Sequence, residues 1–90
     1  MTRRCTIPHD VACAKVDDGA VILHMGTKRY FSLNETGAEI WRLLEEAVPV
    51  DEIPQRLSEQ FDVSVEEARG GVTELIAALA GEQLLELEQA

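Results

Sequence analysis

Apolar and polar residues alternate along the first third of the chain, which is typical of strands with one buried face. Short runs rich in β-branched and aromatic residues lie at 11–16, 20–25 and 28–33. The segments between them, Asp17-Asp18-Gly19 and Gly26-Thr27, have the composition of tight turns, and we expect Gly19 to supply a permissive backbone φ. The pattern predicts a three-stranded antiparallel sheet.

The third predicted strand leads directly into a helix. Phe31 and Leu33 share the strand face expected to meet the core, with Arg29 beside them, whereas Tyr30 alternates away. Asn34 follows, and its side chain can cap a helix by accepting a bond from a backbone N–H. From there the apolar period changes from two residues to about 3.6, and Trp41 falls on the stripe predicted to be buried.

Two more helices are predicted after Pro49, which stops the first. One runs from Asp51, its expected cap, to about Gln60. The other runs from Val65 to about Ala80. Its start, Ser64-Val65-Glu66-Glu67, fits a capping box in which Ser64 bonds the N–H of Glu67 and the Glu67 side chain reaches back to the N–H of Ser64.

The end of the chain is less regular. Gly81 suits the left-handed residue that often closes a helix. The last apolar run, 84–87, predicts a short returning strand, with a continued helix as the alternative.

Three strands followed by three helices predict an α+β domain of winged helix-turn-helix-like fold. We expect one domain over residues 11–90, preceded by an N-terminal arm at 1–10 that can pair weakly at a sheet edge. In this order the third strand lies at an edge, and Lys28 and Arg29 are its only gatekeepers. Such an edge can also pair with a second copy, so we expect a monomer or a weak dimer.

The net charge and the lack of a long apolar run argue against some classes of protein. With 17 acidic and 8 basic residues, the formal net charge is −9, which disfavours binding to a phosphate backbone. No apolar run resembles a signal peptide or a membrane span, so we expect a cytoplasmic protein with no membrane partner. Cys5 and Cys13 would then be reduced thiols.

Few residues have the spacing of a chemical site. Cys5 and His9 are spaced as zinc ligands can be, but a site would also need Cys13 or His24, and we expect no metal and no cofactor. Ser32, with Cys13 or His24, lacks any catalytic motif, so we expect no enzymatic activity.

Gly70-Gly71, inside the third predicted helix, costs about 1 kcal/mol per glycine relative to alanine. Either a close helix contact or simple tolerance explains the pair, or the missing side chains let another backbone approach. Glu74, on the same helix, is either a solvated residue or a contact for a basic partner.

Three segments together carry a family resemblance. The segment RYFSLNETGAEIW, the helix V-x-E-I-P-x-x-L and the turn F-D-V-S-x-E-E-A resemble the PqqD-like family of precursor-peptide recognition elements over about residues 11–87. The motif R-Y-aromatic-x-L-N is most similar to the sequences of the stand-alone B1 proteins of lasso-peptide biosynthesis.

The resemblance implies a noncatalytic protein that binds the leader segment of a ribosomally made precursor. The leader would add to the third strand and lie in a groove against the third helix, for delivery to a separate B2-type leader peptidase and the cyclase. By position, the resemblance assigns peptide binding to Lys28, Arg29, Tyr30, Phe31, Ser32 and Leu33 of the strand and Val72, Leu75, Ile76 and Leu79 of the helix.

Two alternatives stay open. A PqqD-type peptide chaperone could serve another modifying enzyme, for a quinone cofactor or a radical enzyme, with the same fold and site. A winged-helix DNA-binding protein would use the helix from Val65 to Ala80, where Arg69 is the only basic residue among several acids.

Overall fold

The computed structural model describes residues 4–88 and has the predicted α+β fold. The elements are β1 (Arg4–Thr6), β2 (Val11–Val16), β3 (Gly19–His24), β4 (Arg29–Asn34), α1 (Glu35–Glu45), a 3-10 turn (Val50–Glu52), α2 (Ile53–Gln60), α3 (Val65–Gly81) and β5 (Glu86–Glu88). The three predicted strands are β2, β3 and β4, and the predicted returning strand is β5. The fold-class prediction, a three-stranded antiparallel sheet followed by three helices, is confirmed.

The strands form two separate sheets. β2, β3 and β4 make an antiparallel sheet in that order, and β1 pairs antiparallel with β5 in a second, two-stranded sheet. Arg4–Thr6 of the N-terminal arm therefore pair with Glu86–Glu88 instead of with the larger sheet. Within residues 4–88, no strand covers the outer edge of β4.

One core joins the layers. α1 packs against β3 and β4, and α3 packs mainly against α2. Trp41 is buried, as predicted, and Cys5 and Ile7 pack against the core from the N-terminal side. The buried apolar residues are Ala20, Ile22, Leu33, Ile40, Trp41, Leu43, Leu44, Ile53, Leu57, Ala68, Val72, Ile76, Leu79, Leu84 and Leu85.

The corner between β4 and α1 forms as predicted. The Asn34 side-chain oxygen accepts a hydrogen bond of 2.8 Å from the N–H of Gly37, and α1 begins at Glu35. A Cβ on Gly37 would lie 3.2 Å from that oxygen and 3.3 Å from the Leu33 side chain. Glycine at this position lets the first turn of the helix rest on the end of the strand.

Gly19 does not have the role that we predicted. The turn consists of Asp17-Asp18, Gly19 is the first residue of β3, and no glycine among the described residues has a positive φ. A Cβ at Gly19 would lie 1.8 Å from the carbonyl oxygen of Leu33. Glycine is therefore required here by the close approach of β4 rather than by the turn.

The closure of α3 also differs from the prediction. Gly81 stays inside the helix, and Gln83, at φ 62°, is the left-handed residue. The N–H of Leu84 then donates to the carbonyl of Leu79 at 2.9 Å, and both side chains are fully buried. Closure at Gly81 would put a polar residue, Glu82, in the position of Leu84 and lose this apolar contact.

α1 ends by the same arrangement before Pro49 is reached. Ala47 has φ 61°, its N–H donates to the carbonyl of Leu44, and the N–H of Val48 donates to the carbonyl of Leu43, both at 3.0 Å. The helix ends at Glu45, so these backbone bonds, rather than the proline, stop it.

Two predicted caps need correction. Asp51 lies in the 3-10 turn, and α2 begins at Ile53 without a side-chain cap. Ser64 accepts from the N–H of Glu67 at 3.1 Å, as predicted. The Glu67 carboxylate, however, accepts from the Ser64 hydroxyl at 3.2 Å instead of from the Ser64 backbone, so the two side chains bond to each other.

Replacing either left-handed residue with glycine should stabilise the protein. Ala47→Gly and Gln83→Gly each relieve a side chain held at positive φ, and we expect each to raise the free energy of unfolding by about 1 kcal/mol. Denaturant unfolding measures the change. Ala77→Gly, an exposed site in the body of α3, is the control and should lower stability by a similar amount. A loss of stability in all three variants would contradict the assigned helix ends.

Candidate functional site

A groove runs beside the open edge of β4. Its volume is about 350 Å³, with β4 as one wall, α1 as the floor and α3 as the other wall. The lining residues are Phe31, Ser32, Leu33, Asn34, Thr36, Gly37, Ile40, Gly71, Glu74 and Leu75. The floor is continuous with the core, because Leu33 and Ile40 are buried members of it.

The groove and the strand edge form one surface. Alternate residues of an edge strand direct their N–H and C=O groups away from the sheet, and β4 pairs only with β3 among the described strands. Phe31 and Leu75 are half-buried on opposite walls and give the groove apolar sides. An extended chain placed along β4 would therefore find main-chain partners at the edge and apolar side chains beside it.

An ion pair joins β4 to the end of α3 beside the groove. The Arg29 guanidinium, at the start of β4, lies 3.0 Å from the Glu82 carboxylate that follows α3. Both side chains are well exposed, so the pair stabilises the fold by about 1 kcal/mol at most. The pair links the start of β4 to the residue that follows α3.

The helix wall lacks side chains where the double glycine lies. A Cβ placed on Gly70 or on Gly71 would meet no atom within 4 Å, so neither glycine is needed for a close helix contact among residues 4–88. Gly71 lines the groove and Gly70 does not. One turn further along, the exposed Glu74 carboxylate is the only charged group in the lining and has no ion pair or hydrogen bond within the described residues.

The structure brings some predicted site residues together and places others elsewhere. Phe31, Ser32, Leu33 and Leu75 line the groove. Val72, Ile76 and Leu79 are buried in the core beneath α3, so their part in any binding would be to hold the helix wall in place. Lys28 is exposed in the turn before β4, and Arg29 is held by Glu82.

Tyr30, the remaining predicted site residue, is 71% exposed on the face of the sheet away from the core. The strand register places it beside Leu23 and Ala12 in one cross-strand row, and Ser32 beside Val21 and Ala14 in the next. We call this surface the outer sheet face, defined by Ala12, Ala14, Val21, Leu23, Tyr30 and Ser32. None of these residues is charged, although 28% of the chain is.

Sequence reasoning did not assign six of the lining residues: Asn34, Thr36, Gly37, Ile40, Gly71 and Glu74. Asn34 was identified as a helix cap, and nothing in the pattern shows that it also borders a cavity. The double glycine was the one available signal, because two costly glycines in a helix with no packing reason indicate space that something else uses.

No hydrogen bond joins Ser32, Cys13 and His24 to one another within the part of the chain that the structure describes. Ser32 and His24 project from opposite faces of the sheet. His24 Nδ1 accepts hydrogen bonds of 3.1 Å from the N–H groups of Gly26 and Thr27 and so caps the turn before β4. Partial burial, together with the charge of Glu45, raises the pKa of the Cys13 thiol, which disfavours the reactive thiolate.

Residues 4–88 contain neither a candidate metal site nor a candidate membrane span. No three His, Cys, Asp or Glu side chains there are grouped so that they could hold a metal ion. None of the described helices combines the length and the apolar character needed to cross a bilayer.

The sequence model of coenzyme PQQ synthesis protein D (PqqD) matches residues 19–85. The chain belongs to the PqqD family. This confirms the resemblance seen in the sequence, and the matched range includes both walls of the groove. No curated protein matches the chain in sequence.

Two solved structures resemble this PqqD-family chain. One is described as "TbiB1 in Complex with the TbiA(beta) Leader Peptide"; it is 35% identical, with a TM-score of 0.82 over 89% of this chain and 93% of that chain. The other is described as "Lasso peptide synthetase B1 complexed with the leader peptide", with 22% identity and a TM-score of 0.83 over 92% of this chain and 98% of that chain. The second shows the shared fold.

Proposed function

We propose that this chain binds the leader segment of a ribosomally synthesised precursor peptide, of the lasso-peptide class, without catalysing a reaction. The observation that carries the proposal is the unpaired edge of β4 beside an apolar groove. The 35% identical PqqD-family structure, described as a complex with a leader peptide, supports the same function.

Strand addition explains how such an edge recognises a peptide. Main-chain hydrogen bonds to β4 give affinity that depends little on sequence, while pockets for alternate side chains give specificity. The cavity of about 350 Å³ has room for one or two guest side chains. We propose that residues 29–33 of β4 make the main-chain contacts, and that the groove lining makes the side-chain contacts.

The other open edge of the sheet does not offer the same surface. In β2, every residue after Val11 is exposed, so the side chains on both faces of that strand lack cover. A cavity of about 350 Å³ also lies beside the end of β2, but five charged side chains line it: Lys15, Asp17, Glu35, Glu39 and Arg42. A peptide pairing with β2 would therefore meet a much more charged surface than the groove beside β4, where Glu74 is the one charged group in the lining. We therefore expect the leader to bind at β4, and a second copy of this chain to compete for the same edge.

Proline in β4 should separate edge pairing from folding. Neighbouring residues of the strand direct their N–H groups alternately to β3 and to the open edge, so one of Phe31→Pro and Ser32→Pro removes an outward donor while leaving the β3 pairing intact. We expect the native chain to bind its precursor's leader with a Kd of about 1 µM or tighter, measured by fluorescence anisotropy. The proline variant that keeps its circular dichroism spectrum should lose that binding.

Leu75→Ala provides a second test of the groove, because it removes an apolar side chain from the helix wall without changing the strand. We expect it to weaken binding about tenfold while the fold is retained, since about 1.4 kcal/mol of apolar contact is lost. Folded native protein that ignores the leader, or folded variants that bind it unchanged, would contradict the proposal.

We propose further that the bound leader is passed to a separate leader peptidase, with the cyclase acting afterwards, in the cytoplasm. The outer sheet face supports this step, because an added strand would extend it and turn every second leader side chain toward the same side as Tyr30. A peptidase covering both the uncharged face and the leader would contact a larger surface in the loaded form than in the free form. A different modifying enzyme, serving a quinone cofactor or a radical reaction, would use the same surfaces.

A charged residue on the outer sheet face should slow delivery of the leader to the peptidase without changing the affinity for the leader. Leu23 is exposed on the central strand, away from the groove, so Leu23→Glu should leave leader affinity unchanged while slowing cleavage by the partner peptidase about tenfold or more. Ala77→Glu, an exposed position on α3 outside the groove lining, is the matched control and should have no effect on cleavage. Equal cleavage rates for the two variants would rule out the outer sheet face as the peptidase contact.

A further inference from the structure

We propose that the turn of α3 from Gly71 to Glu74 seats one long basic side chain of the guest peptide, arginine in preference to lysine. The inference rests on the proposed function, since this seat is part of the same groove. It names the chemistry that the groove selects, which strand addition alone leaves open.

Gly71 supplies the space. The glycine lies within a 17-residue helix, where it lowers stability by about 1 kcal/mol relative to alanine. Nothing lies within 4 Å of the position that its Cβ would occupy, so no contact inside the described chain requires the glycine. Gly71 borders the same cavity as the half-buried Leu75 and the α1 residues Thr36, Gly37 and Ile40.

Glu74 supplies the charge. It stands three residues after Gly71, on the same side of the helix, and its carboxylate has no ion pair or hydrogen bond within residues 4–88. No basic residue lines the groove, and Arg29, at its end, is paired with Glu82. The groove therefore carries an uncompensated negative charge beside an apolar space.

An arginine or lysine fits both features at once. Its methylene stem can lie in the space left by Gly71, against the apolar wall at Leu75, while its charged head reaches the Glu74 carboxylate. Arginine is preferred because its planar fork can pair with a carboxylate through two hydrogen bonds. A phenylalanine side chain would fill the space but cover Glu74 without giving it a partner, and an acidic one would be repelled. Tyrosine and tryptophan offer Glu74 a single neutral donor, without the positive charge that compensates the carboxylate.

Selection from a random peptide library tests the charge and does not require the sequence of the leader. Short random peptides displayed on phage are selected on the native chain and on Glu74→Lys, and winners are kept when they shift the amide resonances of residues 29–33 in labelled protein. We expect native winners to share a basic residue at a fixed position, and Glu74→Lys winners to replace it with an acidic one. Glu67→Lys, outside the groove lining, is the control and should select the native pattern.

The outcomes of this selection separate the two proposals. If no selected peptide shifts the β4 amides, the proposed function fails. If peptides bind at β4 but show no basic preference, or if Glu74→Lys leaves the preference unchanged, the seat is wrong and the proposed function stands.

The two neighbouring glycines give a matched test of the space. Gly70→Ala and Gly71→Ala should both raise Tm, because each improves helix propensity and meets no atom of the chain. Only Gly71→Ala should weaken binding of a selected arginine-containing peptide, by about tenfold, because its methyl group enters the seat. Equal affinities for the two stabilised variants would overturn the assignment of the space to Gly71.

Discussion

The pairing of β1 with β5 leaves the outer edge of β4 open, and the proposed function depends on that open edge. These two strands, Arg4–Thr6 and Glu86–Glu88, satisfy each other's main-chain groups in a separate two-stranded sheet, so neither is placed against β4. An exposed strand edge is a liability that proteins usually blunt or cover. Here the edge stays open directly beside an apolar groove, and the close approach of β4 to Gly19 and the Asn34 cap fix that edge relative to α1.

The floor of the groove stabilises the fold, whereas its helix wall lowers the stability of the fold. Its floor belongs to the core, whereas its helix wall contains a glycine that the chain's own packing does not require and a carboxylate without a partner among the described residues. Stability alone would favour alanine at position 71. The helix wall thus lowers the stability of the fold beside a strand edge with unpaired main-chain groups. A peptide-binding module needs such a surface, because the contacts that the chain does not make are left for the guest peptide.

Much of this fold follows from the sequence because local patterns and tertiary packing agree. Alternation located the three strands, and Asn34 and Ser64 marked two helix starts. The errors arose where a distant contact decided the outcome. Gly19 serves the approach of Leu33 rather than its own turn, and the contact of Leu84 with Leu79 places the left-handed residue that closes α3 at Gln83 instead of Gly81. The groove was predicted by resemblance, but its outline was not: no local pattern distinguishes Val72, which is buried, from Leu75, which borders the cavity.

Hydrogen–deuterium exchange of single amides, with and without the precursor's leader peptide, tests the central claim most directly. If the leader adds as a strand to β4, alternate amides within residues 29–33 should exchange much more slowly in the complex, while the exposed amides of β2 stay unchanged. Protection confined to β2, or bound leader with no protection in β4, would contradict the account.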